Sequence, residues 1–316
     1  MRILLVHTGG TIGMVQTDDG FAPQKGVVEA EVDRLINAGE ITASVDIVTL
    51  EPLIDSAQAT PVDWSRIAHS IHAASADYDG FVVTHGTDTL AYTAGALCLA
   101  LPGVRQPVIV TGAMLPLTVT GTDGSRNLRE ALLAAQSTAP GVWVQFAGRL
   151  LHGARVRKSH SSSFDAFEAE ACDIAPLLPA AEPGCHEIAQ HNVGIFSITP
   201  GPCMDLLAHA VERCEGLVLR CYGSGTAPDT PEMRTALAKA QAKGIPVIAV
   251  SQCPEGGMKL GTYAAGKVMR DNGVVDGRDI TPEMAYVKMH ACLTRGGDYE
   301  TSRAFLATSQ CGELAS

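Results

Sequence analysis

Threonine and lysine are the residue types whose placement in this chain first suggests covalent chemistry. A short apolar run, Ile3–Val6, leads into His7-Thr8-Gly9-Gly10-Thr11-Ile12-Gly13, where two glycines let the backbone turn sharply and present Thr11 as a strand ends. Open α/β sheets bind ligands at the carboxyl ends of their strands. A second run, Gly80-Phe81-Val82-Val83-Thr84, ends in His85-Gly86-Thr87-Asp88-Thr89, which adds hydroxyls and a carboxylate at another strand end. Each loop also has a plainer reading. The first could be a phosphate-gripping turn, but its glycines do not fit G-x-G-x-x-G and no Lys-Ser or Lys-Thr follows. In the second, Asp88 or Thr89 would merely cap the next helix. Two threonine-bearing loops together favour chemistry over either alone.

A threonine hydroxyl is a poor nucleophile at neutral pH and needs a deprotonated base or a nearby cation. Lys158, in Arg155-Val156-Arg157-Lys158-Ser159-His160, is a candidate, although its stretch reads by composition as a solvated loop. Its partnership with Thr87 and Asp88 would change that reading. Metal chemistry is suggested by His186-Glu187-Ile188-Ala189-Gln190-His191, yet a spacing of i and i+5 turns the second imidazole away by about 140° on a helix. His69 and His72 can share a helix face, but no third ligand is near. The expectation is no metal and no cofactor.

The elements that must position these loops alternate. Short β-rich runs at Ile3–Val6, Phe81–Thr84, Val108–Thr111 and Val142–Phe146 are separated by segments of helical period, which predicts a parallel sheet. One helix start is legible: Thr60 can cap, Pro61 suits the first turn, and Asp63 stands at the third helical position before an apolar face running to Ala74. Between Ile174 and His191 the chain turns to Pro, Ala and Gly without periodicity, and is expected to be a linker. Beyond it, strands are expected at Gly194–Ile198, Leu217–Cys221 and Val247–Ser251, with helices at Met204–Arg213, Glu232–Lys243 and Pro282–Thr294. The expected boundaries are 1–175 for an N-terminal catalytic α/β domain, 176–192 for the linker and 193–316 for a smaller C-terminal α/β domain.

With 316 residues the chain exceeds what one hydrophobic core usually spans, about 250–300 residues, so two domains are expected. A formal charge of −11 argues against nucleic acid as a partner, since that binding rests on Lys and Arg. No apolar stretch approaches the roughly 18 residues that cross a bilayer, so no membrane partner is expected. The first residues, Met1-Arg2-Ile3-Leu4-Leu5-Val6-His7, read as a strand rather than a signal peptide. Nine scattered cysteines without a CxxC pair suggest reduced thiols, and both features point to the cytoplasm.

Thr8-Gly9-Gly10-Thr11-Ile12-Gly13 and His85-Gly86-Thr87-Asp88-Thr89 resemble the two signature loops of the bacterial L-asparaginase family. The resemblance, closest to its cytoplasmic type I branch, extends through Asp55-Ser56, Thr60-Pro61, Pro107–Pro116, Asp123-Gly124 with Asn127-Leu128, Lys158, Arg220-Cys221-Tyr222-Gly223-Ser224-Gly225 and Ser251-Gln252-Cys253. It implies a two-domain α/β fold, with a larger N-terminal domain built on a mostly parallel sheet and a smaller C-terminal α/β domain. It also implies hydrolysis of L-asparagine to aspartate and ammonia. By that resemblance Thr11 attacks the side-chain amide to form a β-aspartyl ester, and Thr87, Lys158 and Asp88 handle the protons. Asp88 would meet the substrate α-amine, Ser56 and the Asp55-Ser56 backbone the α-carboxylate, and the Ala113 carbonyl the leaving amide, with Gly86 and Thr87 also lining the site. Holding both charged ends of a zwitterion orients it for attack, which can supply about 7–11 kcal/mol. Backbone N–H groups around Gly10 and Thr87 would be the oxyanion donors.

The resemblance further implies a homodimer or homotetramer with a second, allosteric asparagine site near Arg220 and Cys253. Two positions depart from the family pattern: Phe21 stands where relatives usually have a tyrosine on the N-terminal loop, and Thr226 where many have asparagine. Three alternatives stay open: a mixed glutaminase-asparaginase, a non-catalytic amino-acid sensor, and the amidase subunit of a tRNA-dependent amidotransferase. The last usually carries an extra N-terminal domain, whereas Thr11 here lies close to the start.

Overall fold

The computed structural model describes residues 1–18 and 20–315; Asp19, which precedes Gly20-Phe21, lies outside them. The chain divides into two compact units, Met1–His186 and Glu187–Ser316.

In the first unit, β1 (Arg2–Gly9) is followed by a hairpin of β2 (Met14–Thr17) and β3 (Gly20–Pro23), then α1 (Val27–Asn37), β4 (Ser44–Ile54), α2 (Pro61–Ala73), β5 (Gly80–Thr84) and α3 (Leu90–Ala100). Next come β6 (Pro107–Thr111), α4 (Gly124–Ser137), β7 (Gly141–Phe146), β8 (Arg149–His152), β9 (Val156–Lys158) and β10 (Phe167–Ala169). The main sheet runs β4-β1-β5-β6-β7-β8, with every pair parallel except β7–β8. Every residue of β5 and β6 is buried, as expected of parallel strands covered on both faces, and this explains their unbroken apolar composition.

Helix starts follow their local chemistry. Thr60 has extended backbone before Pro61, and the Asp63 carboxylate accepts the Thr60 backbone N–H at 2.9 Å and its hydroxyl at 3.0 Å. On α4, Leu128, Ala131, Leu132 and Ala135 recur at helical spacing and pack with Leu5, Val82 and Ile109 of the sheet. Each buried leucine of this kind stabilises the fold by about 1.5–3 kcal/mol. Order along the sheet matters most for the site. After β1 the chain goes first to β4 on one side and then to β5 on the other, so the strand order reverses beside β1, where open α/β sheets hold their ligands.

Residues 176–186, within the stretch expected to join the domains, are bonded to the first unit. Pro176 O accepts from Val142 N at 2.9 Å, Leu178 O from Gly103 N at 2.8 Å, and His186 N donates to Ala100 O at 2.8 Å. The second unit stacks β11 (Val193–Ser197), β12 (Gly216–Cys221), β13 (Val247–Ser251) and β14 (Val275–Asp276) in one parallel sheet. Its helices are α5 (Met204–Arg213), α6 (Pro231–Ala242), α7 (Lys267–Asp271), α8 (Pro282–Arg295) and α9 (Tyr299–Ala307). Both α6 and α8 begin with Thr-Pro, and the Thr230 and Thr281 hydroxyls accept from Met233 N at 3.2 Å and Met284 N at 3.1 Å. No helix among the described residues is long and apolar enough to cross a membrane.

Candidate active site

Thr11 opens a single 3-10 turn, Thr11–Gly13, where β1 ends, and is half-buried. Gly9 and Gly10 bend the chain into it at φ values of 122° and 87°, a region in which a side chain is strained. They are also glycines because there is no room. A Cβ on Gly10 would lie 2.4 Å from Gly86 N, and one on Gly9 would lie 2.5 Å from Ile54 O. The turn after β1 is therefore pressed against the ends of β4 and β5. Beneath it the buried His7 imidazole, Nδ1 2.7 Å from Thr84 Oγ1, packs on Gly13, and burial pushes its pKa down.

The loop after β5 is tied from several sides. His85 N donates to Thr111 O at 2.8 Å. The His85 ring is fully buried, with Nδ1 2.8 Å from Gly86 O and Nε2 3.0 Å from Thr93 Oγ1. A carbonyl can only accept, so Nδ1 carries the proton and Nε2 accepts from the Thr93 hydroxyl. Burial also pushes His85 down, which keeps the ring neutral in this role. Thr89 stands at the N-cap of α3, but its side chain makes no capping bond, so capping does not account for these side chains. Thr89 Oγ1 donates to Ser56 O at 2.8 Å, and the Asp88 carboxylate faces Lys158.

Lys158, at the end of β9, is not on a solvated loop. Its ammonium donates to Thr87 Oγ1 at 2.9 Å and to Asp88 Oδ1 at 2.8 Å, and its side chain is only 21% exposed. Thr87 is buried, whereas Asp88 is open to solvent. An ammonium on the Thr87 oxygen leaves that hydroxyl's own proton free to point elsewhere, and a neutral amine there can take a proton back. Asp88 meanwhile offers a carboxylate at the rim, suited to a cationic group on a ligand.

Asp55 and Ser56 follow the end of β4, and Ala113 that of β6, in the same sheet. Asp55 caps the turn Ser56–Gln58 by accepting from Ala57 N at 3.0 Å. Buried Ser56 packs on Gly86, where an added Cβ would meet its Oγ at 2.3 Å. Ala113 is fully buried, two residues beyond β6. Phe21, on β3 opposite Gln16, is 46% exposed. Arg220, on β12, and Cys253, two residues after β13, belong to the second unit. Spacing alone gave no role to His85, Asp123 or Asn127. For His85 the signal available was a polar ring directly after the apolar run Gly80–Thr84; Asp123 and Asn127 stand in a polar stretch that offers none. No group of His, Cys, Asp and Glu able to hold a metal occurs among the described residues.

Comparison with known proteins gives this geometry a family. The asparaginase N-terminal domain matches residues 2–181, and the glutaminase/asparaginase C-terminal domain matches residues 192–306. L-asparaginase 1 of Escherichia coli is 36% identical, over 99% of this chain and 97% of that one. The solved structure of the thermostable L-asparaginase from Thermococcus kodakarensis superposes with a TM-score of 0.91 at 32% identity over all of both chains. That of L-asparaginase I from Vibrio cholerae gives 0.89 at 32% identity over 99% of both. This chain belongs to the asparaginase family.

Proposed function

We infer that this chain hydrolyses L-asparagine to aspartate and ammonia through an ester on Thr11. The observation that carries the reading is the Lys158–Thr87–Asp88 cluster, set at the switch point of the sheet beside the glycine turn that presents Thr11. In the first step Thr11 Oγ bonds to the side-chain amide carbon while its proton passes by way of Thr87 to Lys158 acting as the neutral amine, which becomes the ammonium. Backbone N–H groups near Gly10 and Thr87 stabilise the oxyanion. The C–N bond then breaks, the proton leaves with ammonia, and water attacks the β-aspartyl ester to free Thr11. Asp88 holds the α-amine and Ser56, with the Asp55-Ser56 backbone, the α-carboxylate. The Ala113 carbonyl and Gly86 complete the substrate contacts. No step calls for a cofactor.

One extra methylene separates glutamine from asparagine and is worth only about 1–3 kcal/mol in a pocket. The direct test is ammonia release from both amides, assayed in parallel on the purified protein. Faster turnover of asparagine supports the reading, glutamine preference makes the chain a glutaminase-asparaginase, and asparagine binding with release from neither favours the sensor.

The same reading includes a cytoplasmic homodimer or homotetramer regulated by a second asparagine at Arg220 and Cys253. Its support is the Arg220 side chain, whose buried Nε has no hydrogen-bond partner among the described residues. A buried donor left unpaired costs about 1–3 kcal/mol, which a bound carboxylate would recover. Cys253 Sγ packs against Gly223 nearby.

A further inference from the structure

Between β6 and α4 the segment Gly112–Leu117 touches both loops of the candidate site. A Cβ on Gly112 would lie 2.3 Å from His85 O, so its backbone rests directly on the loop that carries Thr87. At its other end Leu117 N donates to Ile12 O at 3.2 Å, bonding it to the residue after Thr11, and Thr118 Oγ1 donates to Met14 O at 3.2 Å. Whatever holds this segment therefore helps fix how the two loops sit, alongside their direct contact at Gly10 and Gly86.

Three side chains hold it. The Asp123 carboxylate, nearly buried, accepts Met114 N–H on both oxygens at 3.0 Å and Leu115 N–H at 3.0 Å. Asn127, one turn along α4, donates its amide N–H groups to Asp123 Oδ2 at 3.1 Å and Gly112 O at 3.0 Å, and accepts Ala147 N–H at 3.0 Å. Thr122 completes the frame by donating to Leu115 O at 2.8 Å. Charge-assisted bonds of this kind are about twice as strong as neutral ones. The carboxylate's oxygens are thus committed to backbone and to Asn127.

We propose that Asp123 and Asn127 are positioning residues for catalysis, holding Gly112–Leu117 so that the Thr11 turn and the Thr87 loop keep a reactive spacing. The proposal rests on Thr11 and Thr87 acting as inferred above. Misplacement of reacting groups by about 1 Å can cost about 10²-fold in rate.

Asp123→Asn keeps the size but turns an amide N–H toward the donors of Met114 or Asn127. Asn127→Ala is the milder variant and leaves the carboxylate in place. Turnover of asparagine should be measured per folded molecule, alongside KM, the pH profile of kcat and the thermal midpoint. The expected result is a fall in kcat of about 10²-fold for Asp123→Asn and a smaller fall for Asn127→Ala. KM should change little and the pH profile should keep its wild-type shape. If Asp123→Asn does not fold, Asn127→Ala carries the test by the same criteria. Wild-type kcat per folded molecule in a folded variant, whatever its thermal midpoint, would overturn the proposal, as would a shifted pH profile, which would put Asp123 in the proton path. Thr11→Val serves as the control. If it keeps turnover, the nucleophile assignment has failed; if it is dead while Asp123→Asn is unimpaired, only the positioning proposal has failed.

Discussion

Replacing Lys158 by methionine should cost far more turnover than stability. Methionine keeps much of the length and apolar stem, but cannot donate to Thr87 Oγ1 or Asp88 Oδ1, now 2.9 and 2.8 Å away. Loss of a positioned acid-base group costs about 10²–10⁴-fold in rate, or about 2.7–5.4 kcal/mol of transition-state stabilisation. The folding side is smaller. The Asp88 side chain is 64% exposed, so that ion pair contributes under about 1 kcal/mol, and the bond to the neutral Thr87 hydroxyl about 0.5–1.5 kcal/mol. A coupled ammonia assay at neutral pH gives kcat, and thermal or urea unfolding gives the stability change. The loss should not multiply with that of Thr87→Val, because both variants break one unit. A Lys158→Met protein with kcat within about threefold of wild type, far short of the acid-base contribution, would refute the role given to Lys158. So would a double variant whose rate equals the product of the single losses.

Phe21→Tyr places a hydroxyl on an exposed ring in the hairpin that follows the Thr11 turn, and a severalfold rise in kcat is the expected result of that hydroxyl giving Thr11 a hydrogen-bond partner. An unchanged rate would show that residue 21 does not reach Thr11. Arg220→Ala should turn a sigmoidal dependence on asparagine into a hyperbolic one without lowering kcat, and a hyperbolic wild-type curve would end the case for a regulatory site. Acid should weaken the second unit through His290, whose pKa burial pushes down to about 4 from 6.5. Between those values the unfolded chain binds the proton and the folded chain does not, so stability falls as pH drops through that window. His290→Phe should flatten the slope of unfolding free energy there, and an unchanged slope would contradict the assignment.

Much of this architecture was legible in the residues, for reasons that also mark where legibility stopped. Strands β5, β6, β12 and β13 are short, apolar and fully or mostly buried, so their type and bounds follow from composition. Helices α2, α6 and α8 announce themselves by Thr-Pro starts. Strand β4 did not, because it lies on the sheet edge, is mostly exposed or half-buried, and its pairing with β1 slips between His7 and Gly9. That slip is what brings Ile54 against Gly9 and so delivers Ser56 to the site. The hairpin β2–β3 includes Phe21, which the resemblance puts on a loop, and its residues carry no apolar alternation that would mark strands. Lys158 sat in a cationic run that composition assigns to solvent, and only the short pairing of β9 with β10 shows why it is held near Thr87. Asp123 and Asn127 bond to backbone atoms eight to twenty residues away, a relation no local pattern reveals.

The most direct measurement is mass spectrometry of protein quenched in acid during turnover of asparagine, with the modified residue located by proteolysis. An added β-aspartyl group on the peptide bearing Thr11, absent from a folded Thr11→Val variant that releases no ammonia, is the expected result. An adduct on Thr87, or ammonia release at the wild-type rate from Thr11→Val, would contradict Thr11 as the nucleophile.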